Sequence, residues 1–141
     1  MPIKGKAFEL KVSEALKKKY KKSFSEKAIE IGHSPKKHKF DLVSEDEKIF
    51  VECKSLSWTK TDNVPSGKIS TINEAVLFLA NIKKRQIKRI IVLRKDWSRK
   101  KKTSLSHYYV DHYSHLLKGI IVLEYNLNTK KLEEIKNKHS R

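Results

Sequence analysis

Two continuous apolar runs, "RIIVL" (89–93) and "GIIVLEY" (119–125), constrain this chain more than any other feature. Such runs suit strands covered on both faces, the interior of a parallel or mixed sheet with helices above and below it. A strand with one wet face would show a polar residue at every second position instead. Before the first run lies "TINEAVLFLANIKKR" (71–85), in which Thr71 followed by Glu74 has the pattern of a capping box, predicting a helix that buries Ile72, Ala75, Val76, Leu79 and Ala80. Between the runs lies "SLSHYYVDHYSHLL" (104–117), also predicted as a helix. Each apolar strand is thus preceded by a helix, and the two extend one sheet by helical crossovers.

Upstream, "KGKAFELKVSEALKKKY" carries Phe8, Val12, Ala15, Leu16 and Tyr20 at helical spacing. Then "KAIEI" (27–31), "KFDLV" (39–43) and "KIFVECKSL" (48–56) follow as short runs separated by "GHSPK" and "SEDE", which predicts an antiparallel meander with tight turns. "KLEEIKNKHSR" supplies a short edge strand and a basic, flexible tail from 136 to 141. The expectation is a single α/β domain over residues 1–135, large enough to bury a core without disulfides.

The 141 residues hold 33 Lys and Arg against 16 Asp and Glu, a formal net charge of +17. That imbalance exceeds what solubility needs and points to a polyanionic partner, for which DNA is the expectation. Lysine enrichment of the hyperthermophilic kind brings glutamate with it, and here it does not. The basic residues fall in "KKKYKK", "PKKHK", "KKRQIKR" and "RKDWSRKKK", spread among apolar segments as on a folded surface that tracks phosphates. In the last of these, Trp97 can pack on a base or sugar while Arg99, Lys100, Lys101 and Lys102 meet phosphates. The alternative is a solvated charge run with Trp97 folded on the core. A single cysteine, Cys53, excludes an internal disulfide and a cysteine zinc cluster. The chain has no signal-peptide core, no membrane-length apolar run and no basic helix with an aromatic face, so an intracellular, cytoplasmic protein without a membrane partner is expected.

The strand "IFVECKSL" poses the chemical question. Alternation puts Ile49, Val51 and Cys53 on one face and Phe50, Glu52 and Lys54 on the other. A lone buried carboxylate is costly, so Glu52 needs a cation or a metal beside it. In the preceding strand, alternation puts Asp41 on one face with Lys39 and Val43, and Phe40 with Leu42 on the other. A tight turn at "SEDE" would bring Asp41 across from Glu52. Two converging carboxylates without His or Cys make a hard oxygen site suited to Mg²⁺ or Mn²⁺.

Asp41, ten intervening residues and then Glu52-Cys53-Lys54 resemble the motif of the PD-(D/E)XK nuclease superfamily, with Phe40 standing where the family name has proline. The order helix, three strands, helix, strand over roughly residues 4–93 resembles that family's core as well. The resemblance implies a restriction-endonuclease-like mixed sheet flanked by helices and a metal-dependent endonuclease. Asp41, Glu52 and the Cys53 carbonyl would hold the ion, Lys54 would act on the water or the phosphate, and Glu9 of the first helix would complete the site. Glu14 shares its face with Leu10, Lys17, Lys18 and Lys21 and reads as solvated. Lys39 is a candidate to steady a neighbouring phosphate. Small size and charge resemble archaeal Holliday junction resolvases, which implies structure-selective cleavage in repair or recombination and leaves a homodimer open. A short restriction or mobile-element nuclease is the alternative within the superfamily. Outside it stands a nucleic-acid-binding module in which Asp41, Glu52 and Lys54 only pair with one another.

Other features have ordinary readings. His107, Asp111 and His115 recur every four residues, a spacing that can grip a metal, but Leu105, Tyr109, Tyr113 and Leu116 supply a buried stripe that leaves the histidines as a polar face. Tyr108, Tyr109 and Tyr113 read as core rather than as base-stacking groups. The loop "SWTKTDNVPSGK" either borders the cleft or is a plain mobile connection.

Overall fold

The two apolar runs become adjacent parallel strands in the interior of a mixed six-stranded sheet. The computed structural model describes residues 5–33 and 36–136. In chain order it holds α1 (Gly5–Tyr20), β1 (Phe24–Ile31), β2 (Lys36–Ser44), β3 (Ile49–Lys54), α2 (Ser66–Ala80), β4 (Lys88–Arg94), β5 (Trp97–Ser98), β6 (Thr103–Ser104), α3 (Leu105–Tyr113) with a 3-10 turn Ser114–Leu116, β7 (Ile120–Asn126) and β8 (Lys131–Glu134). The sheet order is β1-β2-β3-β4-β7-β8. β1, β2 and β3 form the antiparallel meander, β3, β4 and β7 run parallel through crossovers that contain α2 and α3, and β8 returns antiparallel at the far edge. The described residues therefore form a single α/β domain of a mixed sheet and three α-helices. The expected tail lies outside the described residues apart from Lys136, which is exposed.

Two apolar layers hold the sheet. On one face Phe8, Val12 and Leu16 of α1, all at most 1% exposed, pack with Ile49, Val51, Cys53, Ile90, Val92, Leu123 and Tyr125. Burial of each of those α1 side chains contributes roughly 1.5–3 kcal/mol, an upper figure because unfolded chains are not fully extended. On the other face Ile69, Ile72, Val76 and Leu79 of α2 and Leu105, Tyr109 and Val110 of α3 pack on Phe40, Phe50, Ile91, Leu93 and Val122. The tyrosines of α3 are packing groups: Tyr109 is buried and donates to Asn73 Oδ1 at 2.7 Å, Tyr113 stacks on it, and Tyr108 meets the edge of Trp58.

Several boundaries differ from expectation. α2 begins at Ser66, so Thr71 and Glu74 lie inside it; the Thr71 hydroxyl donates to the Lys68 carbonyl at 2.6 Å rather than capping. α2 ends at Ala80, which is exposed, and the guanidinium of Arg89 donates to the carbonyls of Leu79 in its last turn and of Ile82 just beyond it, at 2.8 Å each. One member of the "KKRQIKR" cluster is thereby structural. α3 stops at Tyr113, and Leu116 is 46% exposed rather than buried. The "RKDWSRKKKT" loop is ordered into the β5–β6 ribbon. The residues after Lys54 are ordered too, since Trp58 is buried and donates its backbone N–H and indole N–H to Asp96 at 2.8 and 2.9 Å. Among the described residues, no helix is long and apolar enough to cross a membrane.

Candidate active site

The turn between β2 and β3 is closed by Ser44, whose hydroxyl accepts from the N–H groups of Lys48 and Ile49, while Glu47 takes a left-handed conformation with φ of 56°. This hairpin starts in register, with Val43 opposite Phe50 and Leu42 opposite Val51. The ladder ends there. On the other side of β2, Ser25 pairs with Val43 and Lys27 with Phe40, so one intervening residue on β1 faces two on β2, Asp41 and Leu42. That is a β-bulge, and bulges re-aim side chains. Its effect shows in the packing: Phe40 and Val43 both join the α2 layer, whereas Leu42 joins the α1 layer. The alternation expected from sequence, with Phe40 and Leu42 on one face, is corrected accordingly, and Asp41 sits at the switch between faces.

Beyond Leu42 and Val51, the two carboxylates take up backbone N–H groups. Asp41 Oδ2 accepts from the backbone N–H of Cys53 at 2.8 Å, and Glu52 Oε1 accepts from the backbone N–H of Asp41 at 3.2 Å. Glu52 is 5% exposed; burial, with Asp41 beside it, pushes its carboxyl up to about 8. Burial raises the Asp41 carboxyl as well, against the N–H of Cys53 and the charge of Lys54. Glu9 is raised by burial and then by Asp41, which places the N-terminal part of α1 within electrostatic reach of the pair. Lys6, 3.5 Å from Glu9, partly offsets this. Lys54 is half-buried at the end of β3, and its charge favours the ionised forms of both Asp41 and Glu52. Burial pushes the Cys53 thiol well up, so the residue is an inert part of the α1 layer and acts here through its backbone.

His38 belongs to this site although the sequence reading passed over it. Its ring stacks on Phe78 of α2 at 3.7 Å and meets the edge of Phe40, and Nε2 lies 3.4 Å from Glu52 Oε1. The distance is that of an ion pair, but the orientation is not that of a hydrogen bond, and Nε2 is buried without a hydrogen-bond partner. Burial lowers the His38 pKa, which disfavours the charged ring and with it an ionic contact. No local motif marks His38, because its place depends on the distant Phe78.

The structure thus brings Glu9, Asp41, Glu52 and Lys54 to one end of the sheet. It does not gather Glu9, Asp41 and Glu52 into a three-ligand set: among the described residues, no three His, Cys, Asp or Glu side chains form a group able to hold a metal. The same holds for His107, Asp111 and His115; His107 Nδ1 instead lies 2.8 Å from Ser104 Oγ at the start of α3. Lys39 is exposed, with its nearest acid, Glu26, at 3.8 Å. Glu14 is exposed, as expected. Arg99, Lys100, Lys101 and Lys102 are exposed in the β5–β6 turn, and Trp97 is 57% exposed rather than folded on the core.

No family model matches this chain, and no curated protein and no solved structure matches it significantly.

Proposed function

We propose that this chain is a metal-dependent DNA endonuclease with a restriction-endonuclease-like fold. The observation that carries the reading is the pair Asp41 and Glu52, converging where the β2–β3 ladder breaks, with Lys54 beside them. Burying two carboxylates together is unfavourable, as the Glu52 carboxyl raised by burial and by Asp41 shows, and a cation held between them would relieve that cost. The donor set is oxygen alone, which fits Mg²⁺ or Mn²⁺. Asp41, Glu52 and the Cys53 carbonyl would hold the ion, with water completing its sphere. The orphaned His38 Nε2 beside Glu52 fits a site built to receive water or a ligand.

When bound, such an ion supplies Lewis-acid polarisation of the phosphoryl oxygen and a bound water of lowered pKa. The chain does the rest. Lys54 orients the attacking water or offsets charge on the phosphate. Glu9 accepts hydrogen bonds from water at the rim. Arg99 to Lys102 and Lys39 hold the DNA backbone, which fixes position but reads no sequence. Size and charge favour structure-selective cleavage, as in repair or recombination, and a homodimer would suit a symmetric junction.

The test is cleavage of linear, nicked, single-stranded and four-way-junction DNA with Mg²⁺ or Mn²⁺, against EDTA. Metal-dependent cleavage, strongest on the branched substrate, is expected; no cleavage of any substrate with either metal would overturn the proposal. A second reading, a DNA-binding module without catalysis, draws on the bonds by which Asp41 and Glu52 each satisfy a backbone N–H. It requires that the wild type bind no metal and that variants of these residues change only the melting temperature.

A further inference from the structure

Three buried side-chain polar atoms lack a hydrogen-bond partner among the described residues: His38 Nε2, Ser55 Oγ and Arg94 Nε. Native structures leave few such groups, and their positions call for a reason. All three fall at one end of the sheet. His38 adjoins Glu52, Ser55 follows Lys54 directly, and Arg94 ends β4, one residue beyond the partner of Lys54 in the β3–β4 register. Because β3, β4 and β7 are parallel, their carboxyl ends share this edge, the place where open α/β sheets bind ligands.

Past Arg94 the edge opens into a groove of about 550 Å³ lined by Arg94, Lys95, Trp97, Asn126, Leu127 and Asn128. Its walls are held firmly. Lys95 donates to the Tyr125 carbonyl at 2.8 Å, prolonging the β4–β7 pairing. Asn126 Oδ1 accepts from the N–H groups of Asn128 and Thr129, which shapes the β7–β8 turn. Trp97 stands on the β5–β6 ribbon, anchored through Asp96 to the buried Trp58 and closed by Lys102, with φ of 54°, donating to the Ser98 carbonyl. A large aromatic is thus kept 57% exposed on a fixed support, beside the cationic turn Arg99–Lys102. On the α1 side of the sheet Tyr125, next to Asn126 of the groove, packs edge-on against Phe8, the neighbour of Glu9.

We infer that this groove takes an unpaired nucleotide of the DNA, its base stacked on Trp97 and its phosphates met by Arg94, Lys95 and the β5–β6 turn. The inference rests on the proposed nuclease reading and names its substrate as DNA with an unpaired strand next to the cleaved bond. A duplex keeps its base faces stacked and closed, whereas an unpaired base offers a face to an aromatic ring whatever its sequence. From Lys54 to β7 is two strand spacings, about 10 Å, roughly three base steps of a stacked strand. One strand can therefore span both sites.

The experiment is binding in EDTA, without cleavage, of a fluorescein-labelled twelve-nucleotide dT strand and of a blunt duplex of equal length, by anisotropy and by quenching of tryptophan fluorescence. Since Trp58 is buried, quenching reports on Trp97. The wild type should be quenched by the single strand and little by the duplex. Trp97→Ala should lose about five- to hundred-fold in single-strand affinity, with duplex affinity and melting temperature nearly unchanged, and Trp97→Phe should keep most of the binding. Equal quenching by strand and duplex, or Trp97→Ala binding the strand like the wild type, overturns the inference. Selective stacking without metal-dependent cleavage of any DNA would leave the groove standing and remove the nuclease reading. Cleavage of blunt duplex that is indifferent to Trp97 would do the reverse.

Discussion

Glu52→Gln at alkaline pH is the perturbation that most directly measures the electrostatics of the site. Glu52 is 5% exposed, and burial with Asp41 alongside moves its carboxyl from 4.5 up to about 8. An acid with a higher pKa in the folded state holds its proton more tightly there than in the unfolded chain. Its contribution therefore favours folding at low pH and declines as the pH rises from about 4.5 through about 8, then levels off. At about 1.36 kcal/mol per pH unit, that interval corresponds to a loss of at most about 5 kcal/mol. Relaxation and water entry make about 2–5 kcal/mol the working range. Glutamine keeps the shape and an oxygen for the Asp41 N–H but cannot ionise. At pH 9 the variant should exceed the wild type by that amount, roughly 5–15 °C in melting temperature for a domain of this size. At pH 5 the two should agree within about 1 kcal/mol. Mn²⁺ at pH 8 should raise the wild type toward the variant and leave the variant unmoved. Urea and thermal melts across pH measure both effects. A difference between the two proteins that is the same at pH 5 and pH 9 would refute the reasoning, since it would show that Glu52 does not titrate across the folding transition.

Asp41→Asn should abolish metal-dependent cleavage while DNA binding in EDTA stays equal or tightens, because a negative charge facing the phosphates is removed; a paired cleavage and binding assay checks this. Lys54→Ala should stop cleavage yet leave Mn²⁺ binding measurable by calorimetry, because a lysine is not a ligand. Loss of metal binding in that variant would mean that Lys54 builds the site rather than acting in it. Reversing Lys100, Lys101 and Lys102 to Glu should weaken DNA binding whatever the sequence and flatten the slope of log affinity against log salt by about 3; an unchanged slope would make that turn a solvated charge run.

The sheet was legible because its evidence is local. "RIIVL" and "GIIVLEY" read as doubly covered strands and are so, since nothing polar interrupts Ile90 to Leu93 or Ile121 to Leu123. The stripe Phe8, Val12, Leu16 is an equally local period, and all three are buried. The start of α2 was misread because Thr71 and Glu74 have cap-like spacing but the helix already runs from Ser66, where Pro65 precedes it without a side-chain cap. The β5–β6 ribbon left no signal either. Two-residue strands are too short to show a period, and what holds Trp97 outward is Asp96 bonding to Trp58, 38 residues away. His38 was missed for the same reason, its ring being placed by Phe78.

The bulge explains why a motif of two acids and a lysine in adjacent strands amounts to more than a cross-strand pair. Counting up β2 from Phe40 puts Asp41 on the α1 face; counting down from Val43 puts it on the α2 face. Both counts cannot hold in a regular strand, and the extra residue resolves them by leaving Asp41 between the layers. From there its carboxylate reaches the Cys53 N–H, is felt by Glu9 from α1, and raises Glu52, which alternation assigns to the face of Phe50. A regular ladder continuing the register of Leu42 and Val51 would set Asp41 directly across from Glu52 on the α2 face, a plain cross-strand pair turned away from α1 and Glu9. With the ladder ended at Leu42 and Val51, the two carboxylates take the N–H groups of Cys53 and Asp41, so these donors stay satisfied while acidic groups concentrate at the carboxyl end of the parallel strands. On a chain of net charge +17, that concentration is the feature a plain phosphate-binding surface would avoid. It would weaken the attraction of the proposed DNA partner where it stands, and it fits the proposed site, where a cation would share the place with the phosphate.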